Sequence, residues 1–171
     1  MIAALKNKNL KRGLQKSLKV QQRNLPQEAI RSVLVLTTEL SEGLSQQLEN
    51  LQTELKIGDH GFAIREFTTG IKPEELKPHQ WCKKDFSWNG SFTHSDAAAF
   101  KKGNYDLVIG FYKGEHLYLD RVITETTNCF RAGIAGGNAL LFDLLIDTPE
   151  GDWMAFENEL LKYLSILKLR A

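Results

Sequence analysis

The sequence is poor in cysteine: Cys82 and Cys129 are the only two in 171 residues, and the longest early apolar run is Ile2–Leu5. A disulfide framework is therefore not expected, and a reducing, cytoplasmic setting is. No stretch reaches the roughly 18 apolar residues of a membrane span, so no transmembrane segment is expected. Acid is absent from residues 1–25, which carry seven cations: Lys6, Lys8, Lys11, Arg12, Lys16, Lys19 and Arg23. Motifs for common chemistry are missing as well. There is no G-x-S-x-G elbow, and His60, His79, His94 and His116 are scattered without metal-ligand spacing. No catalytic residue and no metal site is assigned.

What is present is a core. Apolar residues at 42% and charged residues at 25% are ordinary globular values. The central stretch, Asn104–Gly137, reads strand, helix, strand. Leu107, Val108, Ile109 and Phe111 form a buried run, Leu119, Val122 and Ile123 a helical stripe, and Phe130, Ala132 and Ile134 a second strand. Upstream, Ser32–Leu36 is a buried strand. Ser41 is an N-cap for a helix carrying Leu44, Leu48, Leu51 and Leu55, and Gly58 is its stop signal. Phe62–Phe67 completes a first βαβ unit. Residues 70–103 are irregular, with Pro73, Pro78 and an Asn89-Gly90 turn. Here a short strand, a possible sheet edge at 85–88, or an ordered loop is expected, with Trp88 tucked against the sheet and Ser95 capping a helix at 97–100. Leu141–Ile146 is a further strand. After a turn at Thr148–Gly151, Trp153, Phe156, Leu160, Leu164 and Leu167 mark a helix running to the C-terminus.

The pattern implies an α/β fold: a three-layer Rossmann-like sandwich with a mainly parallel sheet of five strands, or six with the edge strand. The expected strand order is 3-2-1-4-5. Residues 1–25 form a basic helical arm in which Leu10, Leu14 and Leu18 stack, and residues 26–171 form one domain.

Ligands of such sheets bind beyond the strand carboxyl ends. That rule selects a candidate pocket rim of Thr37, Thr38, Glu39, Thr69, His116, Asn138 and Asp147. The turn after the first strand, TTELSEG, has one glycine and two acids, so it lacks a phosphate cradle, and no nucleotide cofactor is expected. Gly133–Gly137 reads as a tight connection between strands.

Residues 26–171 hold 15 Lys and Arg against 21 Asp and Glu, a net of about −6. A basic arm on an acidic body can dock on that body or face a polyanion. An organellar targeting peptide would share its composition. The expected partners are RNA, an anionic membrane surface or a protein, reached through the seven arm cations. The function expected is that of a non-enzymatic cytoplasmic module, peripheral to a membrane or a ribonucleoprotein. The alternative is a small ligand-binding protein or glycosyltransferase-like enzyme with its site at the strand carboxyl ends.

Two resemblances add to this reading. Tyr105–Tyr112, a helix and then Cys129–Gly136 are similar to part of the N-terminal half of heptosyltransferase-type glycosyltransferases. Those enzymes use two Rossmann-like halves and this chain has room for one, so the resemblance implies a fold and carries no activity. The whole layout resembles a family of short bacterial proteins with a domain of unknown function. The shared features are the basic N-terminal helix, K-D-F-x-W-x-G at Lys84–Gly90, Y-D-L-x-I at Tyr105–Ile109, F-R-x-G at Phe130–Gly133 and K-Y-L-x-I-L at Lys162–Leu167. That resemblance implies the fold and assigns no site residue.

Overall fold

The structure is a computed structural model that describes residues 1–21, 23–149 and 151–171; Gln22 and Glu150, the latter in the expected turn at 148–151, lie outside the described residues. In chain order the elements are α1 (Ile2–Val20), β1 (Val33–Thr37), α2 (Glu42–Glu54), β2 (Phe62–Phe67), β3 (Gln80–Trp81), α3 (Ala97–Lys101), β4 (Leu107–Phe111), α4 (Leu117–Ile123), β5 (Phe130–Ile134), β6 (Leu144–Ile146) and α5 (Trp153–Ile166).

The six strands form one parallel sheet in the order β3-β2-β1-β4-β5-β6. For the five strands expected from sequence, the order 3-2-1-4-5 would put 106–111 outside 62–67. Instead β4 pairs with β1, Val35 opposite Ile109. The outer place beside β2 is taken by β3, not by residues 85–88. Those residues follow a 3-10 turn at Lys83–Asp85, and Phe86 makes an isolated antiparallel bridge with Phe92.

Alternation along the strands divides the core in two, because successive side chains point to opposite faces. Val33, Val35, Leu107 and Ile109 pack with Leu44, Leu48 and Leu51 of α2 and Phe156, Leu160 and Leu164 of α5. Leu34, Leu36 and Val108 pack with Leu119, Val122 and Ile123 of α4, Phe100 of α3, Leu10 of α1, and the rings of Trp81, Phe86 and Phe92. The core residues expected from periodicity, Leu48, Leu51, Val108, Ile109, Phe156 and Leu160, are all fully buried.

Element ends follow local chemistry. Ser41 caps α2 by accepting from Leu44 N at 3.1 Å. The left-handed residue that ends α2 is Lys56 (φ 55°), ahead of Gly58. Asp96, not Ser95, precedes α3, and its carboxylate gathers Arg65 Nε at 2.8 Å and Trp81 Nε1 at 3.1 Å. The last strand begins at Leu144, three residues later than expected. Asp143 is drawn away to Arg23 and to the Arg131 amide, and Phe142 lies across Gly110 and Gly133, where a Cβ would meet its ring at 2.8 Å. Trp88 is exposed rather than tucked in, because Gly90 (φ 85°) brings its loop against the Asn9–Leu10 backbone and turns the indole outward.

Arg131 is fully buried and satisfied by neutral acceptors. It donates to Thr126 O at 2.8 Å and Thr126 Oγ1 at 3.3 Å, to Gln21 Oε1 at 2.8 Å, and to Leu141 O at 3.4 Å. It thereby ties the end of α1 to the β5 and β6 region.

Two stability outcomes follow. Leu51→Ala and Leu160→Ala, each deleting a fully buried side chain, are expected to cost about 2–5 kcal/mol in denaturant unfolding. Gly90→Ala is expected to cost more than about 1 kcal/mol, since it combines a positive φ with a 2.9 Å approach to Leu10 N. A loss under about 1 kcal/mol at both leucines would mean the helical faces are misassigned.

Candidate functional site

β1 and β4 are neighbours whose connections leave in opposite directions. After β1 the chain rises into α2 on one face, and after β4 it turns into α4 on the other. The sheet therefore opens at their carboxyl ends, the switch point where open α/β sheets bind ligands. A cleft of about 540 Å³ lies there. Thr37, Thr38 and Glu39 line it from the end of β1, and Ser41, Gly43, Leu44 and Gln47 from the first turns of α2. Phe111, Tyr112 and Lys113 contribute from the end of β4, Ile134 and Ala135 from β5, and Thr148, Gly151 and Trp153 from the approach to α5.

The lining is mixed in character. Hydroxyls come from three threonines and Ser41, an amide from Gln47, a carboxylate from Glu39 and an ammonium from Lys113. The Thr37 hydroxyl is turned into the loop, donating to Glu39 O at 3.2 Å and accepting from Glu39 N at 3.3 Å, which fixes the backbone at the cleft edge. The apolar part is rigid: Phe111 and Trp153 meet edge to face with centroids 4.9 Å apart, and Trp153 Nε1 is held by Glu157 Oε2 at 2.8 Å. Helices α2 and α5 both begin at this cleft, so their electropositive ends face it.

Of the seven rim residues named from sequence, Thr37, Thr38 and Glu39 line the cleft. Thr69 lies in a separate depression of about 200 Å³ with Thr68, Cys82 and Lys83. Asn138 Oδ1 accepts from Leu140 N at 3.0 Å within its own turn. Asp147 is exposed outside the cleft, and its neighbour Thr148 takes the place. His116 caps α4, its Nδ1 accepting from Leu119 N at 3.2 Å, and burial lowers its pKa. Residues missed from sequence are Gln47, Trp153 and Phe111, whose periodicity spoke only of helix or core. The signal was Gly43 and Gln47, four apart beside the leucine stripe and therefore on one side of α2.

Behind the cleft, the Tyr112 phenol turns toward the α4 face. It donates to Asp120 Oδ1 at 2.6 Å, and His116 N donates to Asp120 Oδ2 at 3.2 Å. Asp120 is 1% exposed. Burial raises its pKa to about 6, although both hydrogen bonds oppose the rise.

The arm cations divide into two sets. Lys6 Nζ donates to Lys83 O, and Arg23 grips Asp143 at 2.6 and 3.0 Å while donating to Cys129 O at 2.8 Å. Lys8, Lys11, Arg12, Lys16 and Lys19 are exposed. Among the described residues no group of three or more His, Cys, Asp or Glu is placed to hold a metal ion, and no helix is long and apolar enough to cross a membrane.

Among families, the one described as "Family of unknown function (DUF6913)" matches residues 6–167. No curated protein and no solved structure matches, and the likeness to glycosyltransferases is not shown.

Asp120 sets a pH dependence. Its folded pKa of about 6 lies above the roughly 3.9 of an unfolded aspartate, so the folded chain binds the extra proton. Its contribution is greatest below about pH 4 and is lost as pH rises to about 6. Asp120→Asn, which still accepts from Tyr112, should flatten the stability profile in that window by about 2–3 kcal/mol relative to the parent. Parallel profiles for the two proteins, from urea unfolding, would refute the burial argument.

Proposed function

The chain belongs to the DUF6913 family, a family of unknown function, and we propose that this member binds a small polar molecule in the cleft between the ends of β1 and β4. The observation that carries the reading is the cleft itself. It has about 540 Å³ of space at the switch point, within the range of ligand sites, with rigid aromatic surface beside a few polar groups. A flat, filled sheet end would favour a purely structural module. The ligand matching this lining has an apolar portion to lie near Leu44, Phe111, Ile134 and Trp153, and hydroxyl or carbonyl groups to meet Thr38, Ser41, Gln47 and Thr148. Glu39 places negative charge where the pyrophosphate of a dinucleotide would sit, so large polyphosphates are disfavoured.

The test is a thermal-shift screen of uncharged and zwitterionic metabolite-sized compounds. A ligand at about a hundred times its Kd should raise the unfolding midpoint by about 5–10 °C. Gly43→Trp fills the cleft: a Cβ at Gly43 would meet only Ser41 Oγ at 3.9 Å, so the fold tolerates a side chain there. That variant should keep its circular dichroism and lose the shift. In calorimetry NAD, FAD and ATP should show no micromolar binding. No hit in the screen, or an equal shift in Gly43→Trp, would end the proposal.

A further inference from the structure

We propose that the outer face of α1, with the exposed Trp88 beside it, is a docking surface for an anionic lipid bilayer. The first observation is orientation. At about 100° per residue, Lys8, Lys11, Arg12, Lys16 and Lys19 fall within an arc of about 140°. That arc lies opposite Leu10 and Leu14, which are buried against the body. All five cations are exposed, and among the described residues none of them forms an ion pair. The helix cannot roll to hide them. Gln21 is held by Arg131, Arg23 by Asp143, Asn9 Nδ2 donates to Trp88 O at 3.0 Å, and Asn7 Oδ1 accepts from Tyr118 OH at 3.1 Å.

The second observation separates lipid from RNA. Exposed apolar side chains border the same arc. Ile2, Leu5 and Val20 lie along its edge, and Trp88 is joined to α1 through Asn9. Phosphates of a nucleic acid would account for the cations but leave aliphatic side chains without a partner. A bilayer interface satisfies both: headgroup charge meets the lysines, and Trp, Leu and Ile enter the headgroup and acyl boundary. Each cation near such a surface contributes binding of about fivefold, and the attraction falls off within a Debye length. Leu10 and Leu14 remain committed to the core, so the association is peripheral and salt-sensitive.

Trp88 supplies a direct readout. It is 68% exposed, whereas Trp81 and Trp153 are 0% and 2% exposed, so a change in indole emission on binding reports Trp88. The 171-residue chain is titrated with phosphatidylcholine vesicles, with vesicles containing phosphatidylglycerol, and with single-stranded RNA, at low and moderate salt. The expected result is a blue shift and vesicle co-flotation with the anionic lipid alone, weakened by salt. Replacing Lys8, Lys11, Arg12, Lys16 and Lys19 by Gln should reduce binding at least a hundredfold. Replacing the exposed Lys72, Lys77 and Lys162 should leave it within a few fold. Trp88→Ala should weaken flotation severalfold with the charges intact. The proposal is overturned by RNA binding without vesicle binding, by binding to neither, or by equal loss in the two cation sets. Because no residue here lines the cleft, this outcome is independent of ligand binding there.

Discussion

A parallel sheet must be covered on both faces, and the remaining features of this chain follow from how that requirement is met. β1 and β4 are buried along their whole length. One face is covered in the usual way, by α2 and α5, with 13 and 14 residues. The other has only α3 and α4, with 5 and 7 residues, too short to span the strands they cross. The deficit is made up by α1 and by the aromatic loop around Phe86 and Phe92. A lysine-rich helix is thus drawn onto the body by one fully buried leucine, Leu10, and by polar ties at both ends. Exposed lysine–carboxylate pairs contribute only about 0–1 kcal/mol each, so leucine burial and the Arg131 fork hold it.

The same division of faces produces the cleft. If α2 and α4 covered one face, their connections would close over the ends of β1 and β4. Leaving in opposite directions, they hold the strand ends apart and let side chains from α2 and α5 line the gap. On the far side the Tyr112 ring and Asp120 carboxyl are driven into the core. There burial outweighs two hydrogen bonds and keeps the carboxyl protonated to about pH 6. Tyr112 thus belongs to the cleft through its position and to the opposite core through its phenol.

Much of this was legible in the sequence, because alternation and leucine spacing are local properties. Val33–Thr37 and Leu107–Phe111 could be read as buried strands without knowing what covers them, and the rule for parallel sheets pointed to Thr37, Thr38 and Glu39. What was not legible depends on distant pairing. Trp88 looks like a core residue until Gly90 is seen against the α1 backbone. Leu141 and Phe142 look like strand until Gly110 and Gly133 are seen as the bed for a ring. The motifs behind the resemblance have structural explanations of the same kind. Asp106 Oδ2 accepts from Arg31 N at 2.9 Å and from Ser32 Oγ at 3.1 Å at the start of β1, Arg131 is a buried fork, and Gly133 admits Phe142. None of these three lines the cleft, which is why motif residues were poor guides to it.

The placement of α1 has a geometric consequence for any surface it meets. Asn7 contacts Tyr118 in the first turn of α4, and Gly13 lies against Arg121 farther along, so α1 runs in the direction of α4. Its N-terminal half therefore sits at the strand carboxyl ends, the same end of the sheet as the cleft, but on the opposite face. A planar surface lying along the outer side of α1 would touch Trp88 and the lysine arc while the cleft, walled by α2 and α5, faced away from it. Contact with the surface and entry of a small molecule would then not compete for space. What separates the two is β4 and the buried Tyr112–Asp120 pair that joins its end to α4.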